Sequence, residues 1–521
     1  MGKKEKKTIH ISYRTFFVLA LGYLGLPMII FFLGFLKIWW GIIFTLALLF
    51  CFFLAVRDCD KDPEGKKVLK DGADFTIGHI IFAVVFVLIW SFFAGIGDFT
   101  WVTADHTSRA ATMNDLYNYD WPVFYDLSAQ SNPVVRAALN GETVAFAYYF
   151  TFWLVPALVG KIAGSLVVAR AALCIWGAIG LLIAVMGINM MKEKASVSAI
   201  IFLFIFGGFD IIPSAYQMIT DTGSTWEGWN RELFIHGNFY QTMNVFNQCI
   251  PGWIVTLLVI GAKNNRSVGT LGALMFPYSP WATIGLLPIA VQRLVTKDMR
   301  TSDRKKDLKN IFSAGNLVVP SFVFVLYASF YTANGKATSI KGFIWEFVKD
   351  PLKLLKIYLL YVIIEFGIWA IILFKENRKN GLFLVSLAVL LIIPVYKISE
   401  ANDFVMRGTL SPMFVIMIFA LLYLDKVIER YKNKGNTNDF KALGVFLLCL
   451  LMGLTSYMFF ITAVGASRQR WTGEDTSESA ADHIGSFGDI HDEDFIEVVD
   501  RQFYVYDYDE TFFYKVFGKT V

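Results

Sequence analysis

Apolar runs of about twenty residues recur along the whole chain, and that repetition limits its fold more than any other feature. A bilayer core ~30 Å thick needs about that length of helix, because the crossing backbone must pair every N–H and C=O internally. A membrane β-barrel would show alternating segments of about ten residues instead, and the sequence has none. Of 521 residues, 56% are hydrophobic and only 17% charged, where a soluble domain carries about a quarter. The net charge of +4 decides little; its distribution decides more. Cys51, Cys59, Cys174, Cys249 and Cys449 are scattered with no CxxC pair, which argues against a disulfide framework or a zinc site.

Lysine and arginine orient the spans. The head MGKKEKKTIHISYR is basic and lacks a small-residue cleavage site, so it reads as cytoplasmic, ahead of a retained first span. Spans are expected near 15–36, 38–56, 77–96, 165–191, 197–213 and 249–262. A hairpin of two short helices follows in 267–295, then spans near 312–332, 355–374, 380–397, 411–424 and 441–463. The fold class is an all-α membrane protein with about thirteen transmembrane helices, N-terminus inside and C-terminus outside. The segment 145–162 is apolar but short, and Pro156 interrupts it. Were it to cross, Lys192 and Lys194 would fall outside; as an interfacial or re-entrant helix it keeps the parity. Residues 1–463 thus form a polytopic domain with a long first extracytoplasmic loop, 97–163, containing interfacial helices, and a second loop at 214–248. An acidic extracytoplasmic tail, 464–521, follows. No internal repeat is apparent, which weighs against an inverted-repeat transporter.

Candidate chemistry gathers at the outer boundary. The first loop carries Asp98, Asp105, His106, Arg109, Asn114, Asp115, Asp120 and Asp126. A carboxylate and an imidazole at Asp105-His106, just past a span, suit a general base or a hard-cation ligand, although a solvated loop would look the same at any single acid. The second loop offers Asp221, Trp226, Glu227, Trp229, Tyr240, Gln241, Asn244 and Asn247. Such side chains stack on sugar faces and bond hydroxyls; an interfacial aromatic belt is the plainer alternative. Asp210, near the outer end of its span, requires a partner or a wet cavity, because a charge at bilayer depth costs about 2.5–3.5 kcal/mol. Arg170 begins the 165–191 helix and presents a fork suited to phosphate oxygens, or snorkels to headgroups. Asp403 and Arg407, at i and i+4, suit either a site or a helix-surface pair, and Glu365 reads as a structural buried acid. The inner loops are short and no P-loop or nucleotide fingerprint is present, so a sugar donor would have to arrive from the lipid phase.

The stretches GIG…ADHTSRAATMNDL…WPV (95–123), GGFD (207–210), TWEGWN…NFYQTMNVFNQCIPGW (225–253), SPWATIGLLP (279–288), NDFVMRG (402–408) and the late ETFFYK resemble multi-spanning glycosyltransferases of the GT-C fold, in a bacterial branch. The likeness runs in patches over most of the chain. It implies transfer of a sugar from a polyprenyl-phosphate-linked donor to an extracytoplasmic glycan, lipid or protein acceptor, with inversion, in the cell membrane. It also implies that Asp105 is the first-loop acid, base or metal ligand, that Glu227 is the second-loop acid, and that Arg170 contacts the donor phosphate. A divalent ion, Mg or Mn, is compatible with Asp105 and not demanded. His106, Asn114, Asp115, Asp210, Trp226, Trp229, Tyr240, Gln241, Asn244, Asp403 and Arg407 are expected to line the substrate site. Where the nearer group has a Lys-His-Asn-like stretch after the acid, this chain has Thr107-Ser108-Arg109. Membrane lipids are expected partners and nucleic acid is not. A lipid-linked-sugar flippase or transporter, or a non-catalytic membrane scaffold, remains the alternative.

Overall fold

The computed structural model describes residues 8–61, 72–192, 195–223, 225–296, 304–335, 340–434, 440–473, 484–491, 493 and 496–520. The basic head, parts of the basic loops (62–71, 193–194, 297–303) and the acidic run 474–483 lie outside the described residues. β1 (Thr8–Ser12) leads into α1 (Tyr13–Phe35), which turns into α2 (Ile38–Asp58). β2 (Gly72–Thr76) pairs antiparallel with β1 and leads into α3 (Ile77–Phe93). Ser12 and Thr76 start the two helices by accepting the N–H of Thr15 and His79. Basic residues collect at this pole of the bundle. Asp58 receives Arg57 (3.0 Å), Lys61 (2.8 Å) and Arg266 (3.4 Å), and Lys192 pairs with Asp425 at 2.6 Å.

The other pole begins with α4 (His106–Asn118), β3 (Phe124–Asp126), α5 (Pro133–Ala138), β4 (Thr143–Phe146) and α6 (Leu154–Ala163), ahead of the long α7 (Leu166–Met190). At ten residues α6 is about 15 Å long, half a bilayer. Its last-turn Lys161 donates to the Tyr119 carbonyl (2.7 Å), so that end stays at the loop pole. α8 (Val197–Ile205) is short; it breaks at Gly207-Gly208, and α9 (Ile211–Ile219) continues from Asp210. α10 (Asn238–Gly261) is the central helix, buried along its whole length and kinked at Val245. It starts eleven residues before the expected span at 249, because its Asn, Gln and Thr side chains depress hydropathy yet lie inside the bundle.

Next come α11 (Val268–Ala273), α12 (Pro280–Val295), α13 (Arg304–Ile311), α14 (Ala314–Thr332), β5 (Lys341–Phe343), α15 (Ile344–Phe347) and α16 (Pro351–Tyr361). A π-helical turn (Val362–Gly367) joins α16 to α17 (Ile368–Asn377). α18 (Gly381–Ile392), β6 (Tyr396–Ile398, paired with β5), α19 (Asp403–Gly408), α20 (Leu410–Lys434) and α21 (Phe440–Thr472) complete the bundle. Among the described residues, eight helices are long and apolar enough to cross a bilayer, and four shorter apolar ones run over Ile77–Phe93, Thr151–Ala163, Pro280–Val295 and Gly381–Val395. Leu46, Phe50, Phe53, Leu287 and Phe324 point outward from the bundle. Such an apolar girdle is what a lipid-facing surface requires. The protein is an all-α, multi-pass membrane protein.

The C-terminal segment folds over the loop pole. α22 (Ile496–Gln502), β7 (Tyr504–Val505) and α23 (Phe512–Val516) follow α21. β7 completes a three-stranded antiparallel sheet β3-β4-β7, with Tyr125 opposite Val144 and Ala145 opposite Val505. The Lys37 N–H donates to the Phe517 carbonyl (2.8 Å), and that of Lys519 to Phe35 (3.0 Å). Asp115, fully buried, accepts from the Tyr125 hydroxyl (2.7 Å) and the Phe487 N–H (2.9 Å). Burial outweighs those bonds and pushes its carboxyl up to about 6. A raised acid favours the docked state while protonated. The stability it contributes is full below the ordinary value near ~4 and is lost as pH rises through about 6. Amide exchange at Phe487 should therefore quicken between pH 5 and pH 7.5 beyond its intrinsic pH dependence, and Asp115→Asn should remove the excess.

Candidate functional site

Asp105 stands at the start of α4, its carboxylate 54% exposed beside an Arg109 side chain that is 7% exposed. One turn along the helix, Arg109 Nη2 donates to Asp105 Oδ2 at 3.4 Å. The Arg109 Nε and Nη1 are buried and meet no hydrogen-bond acceptor. From the far end of the chain, α19 brings Arg407, 8% exposed, whose Nη2 donates to Asp403 Oδ1 at 2.9 Å. Close packing puts it there: a Cβ on Gly285 of α12 would collide with the Gly408 backbone, so only glycine lets the two elements approach. Burial raises the Asp105 carboxyl, but Arg109, then Arg407, His106 and His236, outweigh it and hold it below its ordinary value. The fields of both arginines also reach Tyr148 and Tyr149, between β4 and α6.

The second loop closes the opposite wall. Glu227, 4% exposed, accepts the Gly237 N–H at 3.0 Å and faces His236 Nδ1 at 3.1 Å. Burial raises Glu227 to about 8, the Gly237 bond opposing. Burial, with Arg407 next, lowers His236 to about 3, against Asp105 and Asp403. Tyr240 lies edge-on to His236 (4.6 Å between centroids) and stacks on Phe459 (4.1 Å). Gln241 donates to the His236 carbonyl at 2.6 Å. One site thus gathers Asp105, Glu227, Tyr240, Asp403 and Arg407 with Arg109, which the sequence named in the first loop without a role, and with His236, Tyr148 and Tyr149, which it did not single out. Arg109 carried a signal: it lies one helical turn from Asp105 and so shares its face.

The other candidates lie elsewhere. His106 is buried, its Nε2 on the Met243 carbonyl (2.6 Å) and its Nδ1 3.4 Å from Asp98; it ties α4 to the kinked part of α10. Asn244 of α10 accepts from the Thr103 hydroxyl (2.9 Å), in the stretch just ahead of α4. Asn114 donates to the Gly485 carbonyl (2.8 Å) and so meets the folded tail, as Asp115 does, and it accepts from Arg170 Nη2 (3.1 Å). Asp210 and Glu365 are buried against Gly208, and Trp229 Nε1 donates to Glu365 Oε1 at 3.2 Å. The Trp226 carbonyl accepts from Ser214 (3.1 Å). Among the described residues no group of three or more His, Cys, Asp or Glu is placed to hold a metal. The charged groups acting most strongly on Asp105 are cations or imidazoles, a setting that suits an anion better than a divalent cation.

Comparison with family models, with curated proteins and with solved structures finds no match to this chain.

Proposed function

We propose that the protein is a membrane glycosyltransferase that moves a sugar from a polyprenyl-phosphate donor to an acceptor hydroxyl at the loop pole, taken as extracytoplasmic. One observation carries this reading: the buried Arg109 guanidinium, with two nitrogens lacking an acceptor, stands beside Asp105 in a site that Arg407 shares. Buried donors without partners cost about 1–3 kcal/mol each, and a phosphate oxygen supplies what they lack. The arginines thus take the phosphate, in place of Arg170, and Asp105 is left to orient the acceptor hydroxyl and take its proton. Tyr148, Tyr149 and Tyr240 provide flat faces for sugar.

An apolar groove of about 530 Å³ between α11, α12 and α14 suits the polyprenyl chain. Its Phe276 leads through Tyr331 to Tyr149, with ring centroids 6.1 and 6.3 Å apart, and so toward the arginines. The thirteen proposed crossings are the eight long helices, the shorter α3, α12 and α18, the broken α8–α9 pair and the short α11, with α6 kept at the loop pole and the basic pole cytoplasmic. In proteoliposomes with labelled polyprenyl-phosphate sugars, Asp105→Asn should lower the transfer rate by about 10²–10⁴-fold, the range for losing a general base. Transfer unchanged in that variant sinks the assignment of the base. No transfer with any donor sinks the enzyme reading.

A second reading has its own observation. Asp210, Glu365 and Glu227 place three carboxyls in neighbouring buried positions, with Glu365 on the π-helical turn. Buried acids in spanning helices also serve proton-coupled carriers. That reading predicts movement of the lipid-linked sugar across the vesicle membrane without a new glycosidic bond.

A further inference from the structure

We infer that Glu227 and His236 form a proton-sharing dyad that gives the phosphate seated between Arg109 and Arg407 a third hydrogen-bond donor, the His236 Nε2–H. This rests on the phosphate site proposed above and adds a residue to it. Glu227 is fixed at both oxygens, Oε1 by the Gly237 N–H (3.0 Å) and Oε2 against His236 Nδ1 (3.1 Å). A Cβ on Gly237 would press on that Oε1, so the carboxyl lies in a close-fitting seat. The imidazole is 12% exposed and turns its second nitrogen away from Glu227. His236 lies near enough to Arg407, Asp105 and Asp403 for their charges to act on it, and Nε2 is the ring nitrogen that Glu227 leaves free.

A single proton decides what Nε2 offers. With Glu227 protonated, its O–H donates to Nδ1 and the neutral ring carries its own proton on Nε2, as a donor. With Glu227 ionised, Nδ1 carries the proton and Nε2 becomes an acceptor, which repels an anion. The groups facing the dyad are Asp105, Asp403 and Arg407 at His236, Asp210 and Glu365 beside Glu227, and Tyr240 between. Burial keeps Glu227 protonated below about 8 and His236 neutral above about 3, so the donor form holds across neutral pH. The raised acid fixes the sign: anion affinity is full below that pH and falls above it, at most tenfold per pH unit for one linked proton.

The test uses the full chain in nanodiscs, with farnesyl phosphate and inorganic phosphate as separate probes. Titrations run from pH 7.5 to 9.5, above the phosphomonoester's own second ionisation near ~6. Wild-type affinity for farnesyl phosphate should fall about tenfold across that range. Glu227→Gln keeps the Gly237 bond and donates permanently to Nδ1, so its affinity should stay flat. His236→Asn should bind several-fold more weakly at pH 7.5 and should also be flat, which covers the case of a Glu227→Gln chain that fails to fold. A wild-type affinity independent of pH, or a Glu227→Gln profile that still falls, overturns the dyad while Arg407→Gln can still show the phosphate site. Binding of neither probe overturns both. Equal affinity for the two probes marks a free-phosphate site and overturns the lipid source.

Discussion

Replacing Arg407 by glutamine should lower kcat/KM for a polyprenyl-phosphate sugar by about 10²- to 10³-fold, the scale for removing one donor from a transition-state anion. The side chain is 8% exposed and bonded to Asp403 at 2.9 Å, so its guanidinium is desolvated and already aimed. Charge leaving the anomeric carbon accumulates on the phosphate oxygens, where fixed positive charge in a dry site acts strongly. Lysine at this position keeps the charge and loses the planar fork, so Arg407→Lys should recover only part of the rate. Asp403 is 37% exposed and tolerates the loss of its partner, so the melting temperature should stay within a few degrees. A rate within threefold of wild type would remove Arg407 from the phosphate site. A melting temperature far below wild type would instead assign it to the packing of α19 on α12.

Ending the chain at Gly473 should unfold the loop pole, although every apolar helix is retained. The removed segment buries Phe487, Ile490, Val499, Phe503, Tyr504, Val505, Phe513, Tyr514 and Phe517, all at 6% exposure or less. Each such side chain contributes up to about 1.5–3 kcal/mol on burial. Their loss also bares Phe31 and Phe146, and leaves β4 without one of its two partner strands. Asp115, Gln130 and Asn114 lose bonds to Phe487, Ile490 and Gly485. The melting temperature should drop by more than about 10 °C, and protease should cut between β3 and α6. An uncut loop with an unchanged melting temperature would show that the tail is dispensable for the fold.

Hydropathy reads one segment at a time, so it finds long apolar helices such as α1, α2 and α7 within a few residues of their ends. It misplaces α10, whose Gln241, Asn244 and Asn247 are polar in sequence and buried in the bundle. It is equally silent on the tail, whose acidic composition hides the aromatic residues that dock it. The site was legible in halves. Asp105, Glu227 and Arg407 stand out as charged residues beside spans, yet their sequence holds nothing to say that α4, the second loop and α19 meet.

Local apolar length and the clustering of basic residues, then, are enough to fix a helical membrane bundle with polar loops gathered at one pole, because transfer into a bilayer is an additive, nearly local free energy. Which polar residues share a site is a matter of tertiary structure. Arg109 and Arg407 act on one carboxylate from nearly 300 residues apart because the chain folds back on itself and Gly285 admits α19. Asn114, as promising in sequence, is drawn instead to the folded tail, and Arg170 to Asn114. Close packing is a pairwise, long-range property, and no single stretch of sequence contains it.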